Sequence, residues 1–174
     1  MNRRAVLTEL GSAALLASPL VAYGVGQPDP EPEHCPSFQT DASATVCRGD
    51  DAPVTIRVEK SVGPETRVDS VRFVVRNGTS EPWLVGPNSW DLHKWTAAGW
   101  RHVAPENVWP TAVRLQPSAR YSWVIGPNGT GTEGETVIDE VALERGQWAF
   151  STVARPEAAD AERGFELVAT YRVP

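Results

Sequence analysis

The sequence predicts an all-β fold, an antiparallel β-sandwich of about seven to nine short strands, and three observations carry that expectation. Apolar residues recur with a period of two, turn residues punctuate the chain at short intervals, and no helical crossover separates the strand-like runs. Val54, Ile56 and Val58 alternate with Thr55, Arg57 and Glu59, which is the pattern of a half-buried strand. Val71, Phe73 and Val75 repeat it, with Val74 as the exception. Further strands are expected at Ser89 to Thr96, Trp100 to Val103, Ala112 to Leu115, Arg120 to Ile125, Thr136 to Leu143 and Gln147 to Ala154. The last runs from Gly164 to Val173, with Phe165, Leu167, Ala169, Tyr171 and Val173 on one face. Asn77-Gly78, Gly86-Pro87-Asn88, Ala98-Gly99, Gln116-Pro117-Ser118, Gly126-Pro127-Asn128-Gly129 and Arg145-Gly146 read as the intervening turns. Only Glu157 to Arg163, opened by Pro156, has helical composition.

The chain has 174 residues, which suits one core better than two. With 22 acidic and 16 basic side chains it carries a formal charge of -6, so it lacks the basic footprint that nucleic acid requires. Lys60 and Lys94 are its lysines and arginine supplies the other cations.

The N-terminus reads as an address. Arg3 and Arg4 precede Val6-Leu7, and the weakly apolar stretch from Leu10 to Gly26 is diluted by Ser, Gly and Pro19. This resembles a twin-arginine export signal over residues 1–26, with removal expected near Ala22 to Gly26. The uncharged stretch falls short of the ~20 residues a spanning helix needs, so no stable membrane span is expected after processing. Residues 27–52 follow as an acidic, Pro-rich spacer with a Cys pair, and residues 53–174 as the sandwich. Pro28-Asp29-Pro30-Glu31-Pro32-Glu33 favours an extended, solvated chain. In an exported protein the even pair Cys35 and Cys47 reads as a disulfide worth roughly 3 kcal/mol. A metal site on His34, Cys35 and Cys47 would use adjacent ligands and lack a fourth.

Little in the chain points to catalysis. Asp91 and His93 share one strand face at a spacing of two, but no Gly-x-Ser-x-Gly elbow, zinc-binding His-Glu-x-x-His, phosphate loop or EF-hand series accompanies them. A blue-copper site would need an axial Met and a Cys among strand histidines, and the sole Met is Met1. No catalytic residue, metal or cofactor is expected. Arg48-Gly49-Asp50 spells a tripeptide read by integrins, and Asn77-Gly78-Thr79 and Asn128-Gly129-Thr130 are sequons that also make good hairpin turns.

Tryptophan is the informative surplus, with seven in the chain. Alternation assigns Trp90, Trp123 and Trp148 to the core. Trp95 falls on the opposite face of its strand, with Asp91 and His93, while Trp83 and Trp109 lie beside prolines in loop-like segments. Trp83, Trp95 and Trp109 either gather into an exposed aromatic platform or plug the ends of the sandwich.

Four segments, VRFVVRNGTSEPW from Val71, SWDLHKWTAAGWRHVAP from Ser89, VRLQPSARYSWVI from Val113 and LERGQWAFSTVA from Leu143, resemble the immunoglobulin-like domains of secreted and envelope proteins of bacteria and archaea. Ser118 stands where such domains usually have glycine, and Trp148 where they usually have tyrosine. The resemblance implies an immunoglobulin-like sandwich that works by contact outside the cell, and it carries no catalytic residues. The expectation is a non-enzymatic exported binding module, handled in transit by twin-arginine machinery. Its partner would be an extracellular protein or polysaccharide. A carbohydrate-binding module using the three loop and edge tryptophans is one alternative; a peptidase inhibitor presenting Gly126 to Gly134 is another.

Overall fold

The computed structural model describes residues 34–62, 68–107, 111–126, 130–132, 134–158 and 164–174. Among the described residues ten strands form two packed sheets: β1 (Ala44–Cys47), β2 (Val54–Val62), β3 (Val68–Asn77), β4 (Trp83–Thr96), β5 (Gly99–Ala104), β6 (Val113–Leu115), β7 (Arg120–Ile125), β8 (Glu135–Ile138), β9 (Gly146–Pro156) and β10 (Phe165–Val173). The larger sheet has the order β1-β10-β9-β4-β5, with β6 also pairing with the first residues of β4; the smaller has the order β2-β3-β7-β8. No helix occurs among the described residues, and none there is long and apolar enough to cross a membrane.

The expected all-β class holds, but the sheets are mixed rather than purely antiparallel. β1 runs parallel to β10, with Ala44 opposite Phe165 and Cys47 opposite Val168, and β8 runs parallel to β7. Both are short strands of four residues at a sheet edge, and neither is joined by a tight hairpin to the strand it pairs with. β1 lies within the segment expected to be spacer. The sheet therefore begins upstream of residue 53, and the Cys pair belongs to the folded body.

Alternation places the core where the sequence puts it. Ile56, Phe73, Val75, Trp123 and Ile125 from the smaller sheet face Trp90, Leu92, Trp148, Phe150, Leu167 and Tyr171 from the larger, all at most 5% exposed. Phe150 is the junction: its ring stacks on Phe73 at 4.2 Å between centroids and lies 5.4 Å from Trp123 and 6.2 Å from Trp90. Two of these rings satisfy their polar handle at a carbonyl, as Trp123 Nε1 donates to Pro87 O at 2.8 Å and Trp148 Nε1 to Glu144 O at 2.8 Å, while the buried Tyr171 hydroxyl has no partner.

Three local differences from the expected elements have physical causes. Gly86-Pro87-Asn88, read as a turn, is an irregularity inside β4: the register with β9 shifts between Val85 and Trp90, which lets a proline sit in a strand. The segment expected as a strand to Leu143 ends at Ile138, and Asp139 to Arg145 cross between sheets without regular structure. Pro156 closes β9 instead of opening a helix; residues 159–163 lie outside the described residues. Ser118 adopts a φ of 62°, in the turn closed by Ala119 N donating to Gln116 O, at the position where a glycine carries no Cβ penalty.

Truncation of the junction ring, Phe150→Ala, is expected to cost about 3–5 kcal/mol, because three aromatic neighbours from both sheets lose contact at once. Urea unfolding followed by tryptophan emission checks this, and a loss below about 1 kcal/mol would mean that the inter-sheet contact does not depend on this ring.

Candidate functional site

Alternation along β4 turns Trp90 and Leu92 into the core and Asp91, His93 and Trp95 to the outer face of the larger sheet. The register with β5 then sets His93 opposite His102 and Trp95 opposite Trp100. On the other side β9 brings Ser151 beside Asp91, and β10 brings Val168 beside Ser151. The polar residues of three strands thus converge on one patch.

The N-terminal segment lies across this patch. Phe38 stacks flat on the His93 ring, with centroids 3.7 Å apart and an interplanar angle of 3°, and meets Trp100 edge-on at 6.0 Å. Gln39 Nε2 donates to Asp91 Oδ2 at 2.9 Å, while His102 Nε2 approaches Asp91 Oδ1 at 3.2 Å. Beneath the segment, Glu166 is fully buried. Its Oε1 accepts the amide N–H of Phe38 at 2.9 Å and of Gln39 at 3.2 Å; its Oε2 accepts the hydroxyls of Ser37 at 2.8 Å and Thr45 at 3.1 Å. Burying a carboxylate is costly unless its lone pairs are filled, and here four donors from the N-terminal segment fill them. The Cys35–Cys47 disulfide closes the same segment on itself.

His93 is almost fully buried, and its Nδ1 has no hydrogen-bond partner. Burial, reinforced by the neighbouring His102 and opposed by Asp91, pushes its pKa down to about 4, so the ring is neutral at neutral pH. Ser151 Oγ, although beside Asp91 in the ladder, makes no hydrogen bond to either histidine, so these side chains do not form a nucleophile and base pair. Among the described residues no group of three His, Cys, Asp or Glu could hold a metal ion.

The other candidates distribute differently. Trp83 is 5% exposed, with Nε1 donating to Thr79 Oγ1 and its ring 5.5 Å from Phe165; of the two placements the sequence allows, platform or plug, it takes the plug at an end of the sandwich. Trp95 and Trp100 are half-buried and meet edge-on at 5.3 Å and 70°, so they make a corner rather than a flat surface. Trp109 and Asn128 lie outside the described residues, as does part of the Gly126 to Gly134 loop; Arg3 and Arg4 lie outside them too.

Asn77 is fully buried and structural. Its Nδ2 donates to the carbonyls of Glu81, Leu115 and Gln116, and its Oδ1 accepts from Thr79 N and Oγ1. A sugar on that nitrogen would replace one of its two hydrogens, which these three carbonyls share, at a fully buried position. The segment after it crosses from β3 to β4 in the other sheet instead of forming a hairpin. Arg48, Gly49 and Asp50 are exposed in a turn, with Gly49 at a φ of 98°, but Asp50 folds back to accept Cys47 N–H at 2.7 Å. That carboxylate caps β1.

Glu166, Phe38 and Gln39 carry no mark in the sequence reading. Glu166 sits between Phe165 and Leu167, where alternation assigns it to solvent. The available signal is Phe38, the one aromatic residue between the two cysteines.

No family model matches the chain, and no curated protein is similar to it. Among solved structures it is similar to a Northeast Structural Genomics Consortium target, at 15% identity and a TM-score of 0.41, with 71% of this chain and 87% of that one covered. It is also similar to a Bordetella pertussis protein assigned the name ApaA, at 17% identity and a TM-score of 0.41, over 74% of this chain and 95% of that one. Likeness at this level transfers neither a fold family nor a function.

A ring that refuses a proton in the fold but accepts one in the unfolded chain stabilises the fold in full above pH 6.5 and loses that contribution as the pH falls to about 4. The wild-type chain is therefore expected to lose up to about 3 kcal/mol over that window relative to His93→Leu, which has no proton to take. Denaturant unfolding of both across the window checks the difference; parallel curves would show that His93 titrates normally.

Proposed function

We propose that this chain works outside the cytoplasm as a non-enzymatic immunoglobulin-like module that acts by contact at or beyond the cell envelope. The observation that carries the reading is the Cys35–Cys47 disulfide, which joins the two ends of the segment that covers the larger sheet. Disulfides of this kind persist in oxidising compartments. The Arg3-Arg4 pair ahead of a weakly apolar stretch supports the same address. A rigid two-sheet body that presents connecting loops suits recognition more than it suits a moving active site. The β4–β5 hairpin offers half-buried Trp95 and Trp100 beside exposed Arg101 and His102 as its contact surface.

Those two rings favour one second reading, carbohydrate binding, in which a sugar stacks on the open side of the corner. Trp83 has no part in it.

Peptide mapping under non-reducing conditions, on protein recovered from cytosol, envelope and medium, tests the address. The expected product begins near residue 23 to 27, carries Cys35 linked to Cys47 and lies outside the membrane; an intact Met1 terminus with free thiols in the cytosol would overturn it. Titration with a polysaccharide panel separates the two contact readings. Quenching of emission that disappears in Trp95→Ala assigns sugar binding, and unchanged spectra across the panel remove it.

A further inference from the structure

We propose that residues 35–47 form a redox-locked strap, held on the outer face of the larger sheet while Cys35 and Cys47 are joined and released from it when they are reduced, with the two-sheet core remaining folded. The inference rests on the position of the disulfide and the contacts of the segment, and is independent of the export reading.

The strap is fastened almost entirely from outside the core. Its attachments are the hydrogen bonds of Ser37, Phe38, Gln39 and Thr45 to Glu166, the Phe38 ring on His93 and Trp100, Gln39 on Asp91, Ser43 donating from N and Oγ to Gly164 O, and the four-residue pairing of β1 with β10. Among the described core residues, Val46 is the one the segment supplies. Detachment therefore costs one core side chain, Val46, together with the Phe38 contacts on His93 and Trp100 and the cover over Val168, and leaves the stack of Phe73 on Phe150 untouched.

The face under the strap is also ready to accept water. Glu166 would exchange four protein donors for solvent, and His93 Nδ1 and Ser151 Oγ, which have no partner while covered, would gain one. Solvent thus replaces much of what these polar groups lose on opening, and the crosslink favours the closed state. Closing a loop of 12 residues restricts the open ensemble by a factor on the order of 100. Cys35 is exposed, so a reductant reaches the bond. Reduction by a dithiol delivers two electrons and two protons, leaving Cys35 and Cys47 as thiols and the reductant as its own disulfide.

Hydrogen exchange of the folded full chain, with the bond intact and after incubation with dithiothreitol, tests this. The Phe38 and Gln39 amides are expected to lose protection by a factor on the order of 100 on reduction, while amides of β3 and β9 keep theirs. The double variant C35S/C47S is expected to reproduce the reduced pattern. Unchanged protection at Phe38 and Gln39 would overturn the proposal, as would loss of protection in β3 and β9 in step with the strap. Phe38→Ala with the bond intact is expected to lose less protection than reduction does; an equal loss would place the lock in the aromatic stack and not in the disulfide.

Discussion

The contact of Phe150 with Phe73 holds the two sheets together, and the rest of the molecule is arranged so that this contact stays dry. Phe150 lies on β9, the strand flanked by both β10 and β4, and Phe73 on β3, flanked by β2 and β7. A ring pair at the middle of both sheets is reached from several strands: tryptophans on β4 and β7 meet Phe150, and Tyr171 of β10 meets Phe73. A protein of this size has little apolar surface to spare, so concentrating it at one junction makes a single core from two mixed sheets.

That arrangement leaves the larger sheet with a second face to cover. On β9 and β10 both faces are buried, including Ser151, Val168 and Glu166. The N-terminal segment supplies the cover, and the buried carboxylate specifies its seat. An apolar residue at position 166 would tolerate many placements of a covering loop, whereas a carboxylate with four lone-pair directions accepts a segment whose amides and hydroxyls arrive together. The histidines, aspartate and tryptophans of the outer patch then take their positions from what lies on top of them as much as from their own strands.

Most of the sandwich was legible because alternation is a local consequence of strand geometry. Val54 to Val58, Tyr121 to Ile125 and Trp148 to Phe150 declare their inward faces without reference to any neighbour. What could not be read depends on contacts distant in sequence. β1 is four residues long with no alternation of its own, and its place is fixed by β10, more than a hundred positions away. Glu166 obeys the alternation rule and still ends buried, since the rule names a face and not what covers it. Trp83 follows Pro82 and so reads as loop, yet that proline immediately precedes β4 at the sheet end, where the ring reaches Phe165. Of the proposed site, Asp91, His93 and Trp95 could be placed on one face from the sequence, and Phe38, Gln39 and Glu166, which decide their surroundings, could not.

The disulfide also determines how the chain would carry tension. A pull transmitted from the residues before Cys35 reaches the bond first, and the bond leads directly to Cys47, the last residue of β1. The load then passes through Arg48 to Pro53 into β2, so residues 36–46 lie slack on a branch that bears no force. Reduction would put that branch in series with the rest of the chain. The same pull would then reach the hydrogen bonds at Glu166 first and peel them one after another, before it reached the ladder between β1 and β10. The crosslink thus acts as a mechanical bypass, and it shields from stress the part of the fold least rooted in the core.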